Sequence, residues 1–265
     1  MGVKTAITLD ALNRLFTSYE FTSLVETTSG IIDTTYIVFT KNRSYILKKY
    51  ERAIAQKIEE DSKLLDALQS FGLNVPKCIE SSHGWYLYEK LEGSQPTHIK
   101  SYHIQALARF LAKLHQYTYK KVSYQHVIEQ DEIASHLNYA KANFFSYYKK
   151  LQFLKKQNQK SDGIIHGDIF KDNTVFLGTK IGVFDFIDSA CGNFAFDAAV
   201  ALVGFDAKKN RSSFINLFLG TYNQHSPRKL SKKELLQSIE TARGFYALKR
   251  IVNFKSTKTA KELLK

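Results

Sequence analysis

Two aspartates and an asparagine carry the strongest chemical signal in this chain. Asp168 and Asn173 stand five residues apart, and Asp185 follows twelve residues later within Ile181-Gly182-Val183-Phe184-Asp185-Phe186. Carboxylate, amide and carboxylate in this order suit phosphoryl transfer from ATP. Moving a phosphoryl group needs little covalent help from a protein but much positioning and charge neutralisation. One carboxylate must face the acceptor hydroxyl and take its proton, the role expected of Asp168. Hard oxygen ligands must hold Mg²⁺ against the phosphates, the role expected of Asn173 and Asp185. Asp and Asn in loops are ordinarily turn formers. Three of them set around an apolar hairpin are much harder to obtain by chance.

That hairpin is the first element needed to position them. Thr174-Val175-Phe176-Leu177 reads as a short buried strand, Gly178-Thr179 as a turn, and residues 181–186 as a second strand. An Asp, an Asn at +5 and then a strand bearing Asp-Phe is the order of a kinase catalytic loop and metal-binding strand. Upstream, residues 8–19 predict a short helix capped by Thr8, with Leu9, Leu12, Leu15 and Phe16 on one face. Residues 21–28, 34–40 and 44–50 predict three antiparallel strands, turned at Ser29-Gly30 and Lys41-Asn42-Arg43. A lysine near the end of the third strand would reach the α- and β-phosphates. Alternation places Lys48 and Lys49 on opposite faces and does not choose between them.

Residues 53–71 predict a helix closed by Gly72. Glu59 or Glu60 in its first half could pair with the lysine, although a solvated surface charge is the default. Residues 85–91 predict a strand leading into the linker Glu92-Gly93-Ser94-Gln95-Pro96. Backbone groups near Glu89 and Leu91 would meet an adenine ring. The remainder reads as mainly helical. Leu107, Phe110, Leu111 and Leu114 follow helical spacing up to His115, a structural histidine beneath the 168–173 loop. Further helices are expected over residues 133–153, 194–205, 211–222 and 232–254, with a fraying helix over 255–265. The expected fold is α+β: a two-lobed protein-kinase-like chain with a small antiparallel-sheet N-lobe and a mainly helical C-lobe. Residues 1–92 would bind nucleotide, and residues 93–265 would carry catalysis and the acceptor, with ATP held between the lobes.

Composition excludes several classes. At 265 residues and 44% hydrophobic, the chain allows one or two domains with a sizeable core. No apolar run reaches the ~20 residues of a membrane span. No charged stretch with an apolar run opens the sequence as a signal peptide would, so a cytoplasmic location is expected. Cys78 and Cys191 lie far apart without metal-ligand spacing, which suits a reducing compartment. Cys191 reads as a small buried core residue. The net charge of +13 raises nucleic-acid binding as a question. The basic residues are scattered in pairs such as Lys149-Lys150, Lys155-Lys156 and Lys208-Lys209, with no aromatic RNA-binding signature. A diffuse field that steers an anionic nucleotide is the preferred reading, with no specific nucleic-acid partner and no membrane. The oligomeric state stays open.

These residues resemble the aminoglycoside phosphotransferase and choline kinase superfamily over essentially the whole chain. The strongest piece is residues 165–176, Ile165-His166-Gly167-Asp168-Ile169-Phe170-Lys171-Asp172-Asn173-Thr174-Val175-Phe176. Its Phe-x-Asp-Asn form is similar to the homoserine kinase branch; antibiotic-modifying relatives more often carry Gly or Pro close before the Asn. Leu73-Asn74-Val75-Pro76, Ala190-Cys191, Asp197-Ala198-Ala199 and Arg243-Gly244-Phe245-Tyr246 resemble further pieces of that branch. Asp33 and Thr35 depart from it, standing where asparagines are common. So does Ile187-Asp188 after the Asp-Phe pair, where aromatics are frequent, and Val203-Gly204-Phe205 in place of Asn-x-Trp.

The resemblance implies an ATP- and Mg²⁺-dependent kinase with Lys48, rather than Lys49, on the phosphates. It implies a small-molecule alcohol as acceptor, L-homoserine, giving O-phospho-L-homoserine in threonine biosynthesis. An amino-acid acceptor needs a carboxylate for its ammonium and a cation for its carboxylate; Asp188 and Arg243 are the candidates by charge. The alternatives are a same-fold kinase for another small alcohol, such as an aminoglycoside or choline, and a nucleotide-binding pseudokinase. Intact Asp168, Asn173 and Asp185 argue against the pseudokinase. A nucleic-acid binder ranks last.

Overall fold

A computed structural model describes residues 4–27, 33–52, 54–122, 127–156, 160–206 and 212–264. The expected Ser29-Gly30 turn, Lys208-Lys209, and the element ends expected at residues 28, 53, 211 and 265 lie outside them. The chain divides into two compact units, Met1–Gly93 with Gly182–Ile187, and Ser94–Ile181 with Asp188–Lys265.

In the first unit, helix α1 (Leu9–Leu15) is capped by Thr8, whose hydroxyl accepts from the Ala11 amide. The helix ends four residues sooner than the expected Tyr19. Asn13 explains the stop: its side chain bonds both the amide and the carbonyl of Phe21, at 2.8 and 3.1 Å. The chain must therefore leave the helix early to bring Phe21 alongside. Strands β1 (Phe21–Glu26), β2 (Thr34–Thr40) and β3 (Ser44–Lys49) form a meander. Helix α2 (Ala55–Ser70) follows, then β4 (Cys78–Ser82) and β5 (Trp85–Glu89). The antiparallel sheet runs β1-β2-β3-β5-β4. Strict alternation in β2 buries Thr34, Tyr36 and Val38. Tyr36 and Val38 join Leu12, Phe16, Phe21, Leu47, Trp85 and Leu87 in one core.

Gly72, at φ +82°, closes α2 as expected. Its amide bonds the Gln69 carbonyl and the Leu73 amide bonds the Leu68 carbonyl, the paired bonds of a left-handed helix stop. Strand β4 was not foreseen, and β5 stops at Glu89, so Leu91 lies beyond it.

The second unit is mainly helical. It contains α3 (Ser101–Thr118), α4 (Gln130–Asn143) and α5 (Phe145–Leu151), then the short strands β6 (Gly163–Ile165) and β7 (Thr174–Leu177). Strand β8 (Lys180–Val183) carries the chain out of it and β9 (Ala190–Gly192) brings it back. Helices α6 (Phe194–Asp206), α7 (Ser212–His225), α8 (Lys232–Phe254) and α9 (Thr257–Leu263) complete it. Helix α3 packs on α7, and α6 on α8. The single helix expected over 133–153 is broken at Phe144, whose backbone (φ −144°, ψ 57°) ends α4 and starts α5. Strand β6 pairs antiparallel with β9, setting buried Cys191 opposite Ile164. Cys191 is thus a core residue, as read. The whole is the expected α+β, two-lobed protein-kinase-like fold. Among the described residues no helix is long and apolar enough to cross a membrane.

Candidate active site

The loop of residues 166–173 leaves β6 and enters β7, and helices hold it from beneath. Asp197, fully buried on α6, accepts the His166 amide at 3.1 Å and the Gly167 amide at 2.8 Å. Its Oδ2 also meets His115 Nε2 at 3.0 Å, while His115 Nδ1 meets the Tyr222 hydroxyl at 2.6 Å. The His115 ring stacks flat on Phe194, with centroids 3.9 Å apart. His115 is the structural histidine expected under the loop. Burial pushes the Asp197 carboxyl up, but the bond and charge of His115 outweigh it and hold the carboxyl below the usual range.

Gly167, at φ +74°, turns the chain just before Asp168. The loop then lies directly on the backbone of α6 at Gly204. A Cβ at Gly204 would come within 2.8 Å of Phe170 Cα and 2.9 Å of the Ile169 carbonyl oxygen. Gly204→Ala is therefore expected to lift the loop off the helix. It should cost about 1–3 kcal/mol of stability, the usual effect of overpacking, and lower kcat with it. A melting curve and steady-state kinetics on the variant check both.

Asn173 closes the loop onto Asp168. Its Nδ2 donates to the Asp168 carbonyl at 2.8 Å and to Asp168 Oδ2 at 3.2 Å. Both partners only accept, so the nitrogen must face Asp168, and Asn173 Oδ1 is left for another partner. The Asp168 amide in turn donates to His166 Nδ1 at 3.2 Å. From α8, the Tyr246 hydroxyl donates to the Gly167 carbonyl, and its ring packs edge-on to Phe170. Asp188 is exposed at the end of a short 3-10 turn; Arg243 is half-buried on α8, one turn before Tyr246.

In the first unit, Lys48 Nζ meets Asp185 Oδ1 at 2.5 Å. The ammonium also lies over the Tyr50 ring, 5.3 Å from its centroid. Burial alone would depress the Lys48 pKa; Asp185 first, then Asp33 and Asp61, more than reverse this and raise it. Lys49 lies instead over Trp85. Asp185 is not in a strand as expected. Strand β8 ends at Val183, and Asp185 adopts φ +68°, a left-handed conformation that Asp tolerates better than most residues.

Neither Glu59 nor Glu60 takes the place suggested for it. Glu59 bonds Lys63 on the exposed face, and Glu60 accepts from Gln56. The acid of α2 that bears on Lys48 is buried Asp61. The sequence does hold a signal for it: Ile58, Asp61, Leu65 and Leu68 form one helical stripe, with Asp61 on the apolar face. Asp33 is buried too, accepting the Glu51 amide and pairing with Arg52 at 3.0 Å. The Glu89 amide is taken by the Lys77 carbonyl.

A protein-kinase-like fold with a loop of this kind defines a phosphotransferase. Residues 23–226 match the phosphotransferase enzyme family (APH), and the chain belongs to that family. It is a small-molecule kinase of that family. The homoserine kinase of Rhizobium meliloti (strain 1021) is 27% identical to it, over 92% of this chain and 83% of its own. Among solved structures, the amicoumacin kinase hAmiN in complex with AMP-PNP, Ca²⁺ and Ami superposes with a TM-score of 0.71 at 19% identity, covering 97% of this chain and 89% of its own. The choline kinase LicA of Streptococcus pneumoniae gives a TM-score of 0.69 at 16% identity, with 95% of each chain covered.

Proposed function

We propose that this chain transfers the γ-phosphoryl group of ATP to L-homoserine, forming O-phospho-L-homoserine for threonine biosynthesis in the cytoplasm. The observation that carries the chemistry is the Asp168–Asn173 pair, held at 2.8 and 3.2 Å in a loop anchored to α6. The choice of acceptor rests on the likeness to the Rhizobium meliloti homoserine kinase along most of both chains.

Asp168 takes the proton of the acceptor hydroxyl as its oxygen bonds to the γ-phosphorus and the bond from that phosphorus to the bridging oxygen breaks, releasing ADP. Lys48, kept charged by its acidic neighbours, serves the α- and β-phosphates. Asn173 Oδ1 and Asp185 are the oxygens that would hold Mg²⁺. Among the described residues no cluster of three His, Cys, Asp or Glu is preassembled for a metal. That fits Mg²⁺, which typically takes one or two protein oxygens and completes its shell with phosphate and water. When bound, Mg²⁺ supplies neutralisation of the phosphate charge. Backbone groups at Glu89 and Leu91 serve the adenine, with the Glu89 carbonyl the candidate there because its amide is engaged. Asp188 and Arg243 are assigned to the ammonium and carboxylate of the acceptor.

The test is ATP consumption over a panel of L-homoserine, choline, an aminoglycoside and other small alcohols. Turnover with L-homoserine is expected, with the product identified by mass spectrometry. Turnover of another alcohol with none of homoserine would sink the acceptor assignment and leave the phosphotransferase standing.

A further inference from the structure

Tyr246 is a buried phenol with no part in the chemistry set out above. It lies on α8 and is 8% exposed. Its ring meets Phe170 edge-on at 4.9 Å between centroids. Its hydroxyl donates to the Gly167 carbonyl, and the charge of the Asp168 carboxylate bears on the same phenol. A phenol carries one proton, and a carbonyl and an ionised carboxylate only accept. Here the O–H is given to the peptide that precedes Asp168. Burial, then the charge of Asp168, hold this phenol well above the ordinary tyrosine range, so it stays a donor.

Packing alone does not ask for this oxygen. The contact with Phe170 needs only a ring, and a buried hydroxyl costs stability unless it is bonded. What the oxygen adds is a second grip on the loop. The Gly167 amide is tied to Asp197 on α6 and its carbonyl to Tyr246 on α8. Asp168 Oδ2 is held by Asn173 at 3.2 Å. The peptide that aims the Asp168 side chain is thus fixed from α8, and the carboxylate by Asn173.

We propose that Tyr246 is a positioning residue for phosphoryl transfer, its hydroxyl orienting the Gly167 peptide and, through it, the Asp168 carboxylate towards the acceptor. The proposal rests on Asp168 being the base. The experiment is a double-mutant cycle of Tyr246→Phe and Asp168→Asn, read by kcat, the KM for ATP and the melting temperature, with whichever alcohol the panel shows to be consumed. The Phe variant keeps the ring on Phe170. It is expected to lose about ten-fold in kcat, the upper end of what one neutral hydrogen bond contributes, with the KM for ATP unchanged. In the Asp168→Asn background the same change should move kcat by no more than about two-fold, because the phenol acts through the carboxylate. A Tyr246→Phe enzyme with unchanged kcat overturns the proposal. So does a ten-fold loss repeated in full without the carboxylate. If Asp168→Asn alone keeps wild-type kcat, it is the base assignment that fails, whatever Tyr246 does.

Discussion

Asp168→Asn is expected to lower kcat by about 10²–10⁴-fold, the usual worth of a general base, and to leave ATP binding nearly unchanged. The substitution removes the charge and basicity of the carboxylate and keeps its shape. An asparagine has the same shape, and its oxygen still accepts from Asn173 Nδ2, which now bonds Asp168 Oδ2 at 3.2 Å. The backbone bonds of the loop to Asp197 and Tyr246 do not involve the carboxylate. What the amide cannot do is take a proton from the acceptor. Lys48 and Asp185 keep their own ion pair at 2.5 Å, so the residue assigned to the phosphates is untouched. Single-turnover kinetics and calorimetric titration with an ATP analogue separate the two effects. An unchanged kcat removes Asp168 from the role; a large rise in the dissociation constant for ATP would mean the loss is one of binding.

Local chemistry made the loop and the hairpin after it readable in the sequence. Asp168 and Asn173 are five positions apart because the turn between them lets one side chain close on the other. Thr174-Val175-Phe176-Leu177 is a strand by composition, and the turn at Gly178 is marked by its glycine. Strand β2 was readable for the same reason, since β-branched and aromatic residues alternate along it. Elements defined by distant partners were not readable. Strand β4 is Cys78-Ile79-Glu80-Ser81-Ser82, a polar edge strand that exists because β5 lies beside it. The break at Phe144 carries no proline or glycine to announce it. Asp61 hid among Glu59 and Glu60, where three successive acids look like a solvated face; only the apolar stripe singles it out. Tyr246 was visible merely as part of a family-like helix. Its contact with Gly167 spans 79 positions of chain and has no local signature.

Replacing Asp197 is expected to damage the site most without touching a reacting atom. Asp197→Ala leaves the amides of His166 and Gly167 and the Nε2 side of His115 facing a void in the core. Leaving one buried donor without its acceptor ordinarily costs about 1–3 kcal/mol, and three face the void here, so a loss of about 3–5 kcal/mol is expected. At about 2–4 °C per kcal/mol for a chain of roughly this size, the melting temperature should fall by about 6–20 °C. The effect should depend on pH in a definite direction. The Asp197 carboxyl titrates below its ordinary value in the folded protein, so its stabilisation is fully present above the unfolded value of about 3.9. It is lost as the pH falls through the lower, folded value. The gap in stability between wild type and Asp197→Ala should therefore be constant from neutral pH down to about 4–5 and narrow below it. Urea denaturation across that range measures the gap. A gap that widens on acidification would show that Asp197 is not held ionised by His115 and the loop amides. Activity adds a second reading. The amides that Asp197 holds are those of His166 and Gly167, directly before Asp168, so any folded fraction of the variant should lose kcat while Lys48, in the other unit, keeps its pairing with Asp185.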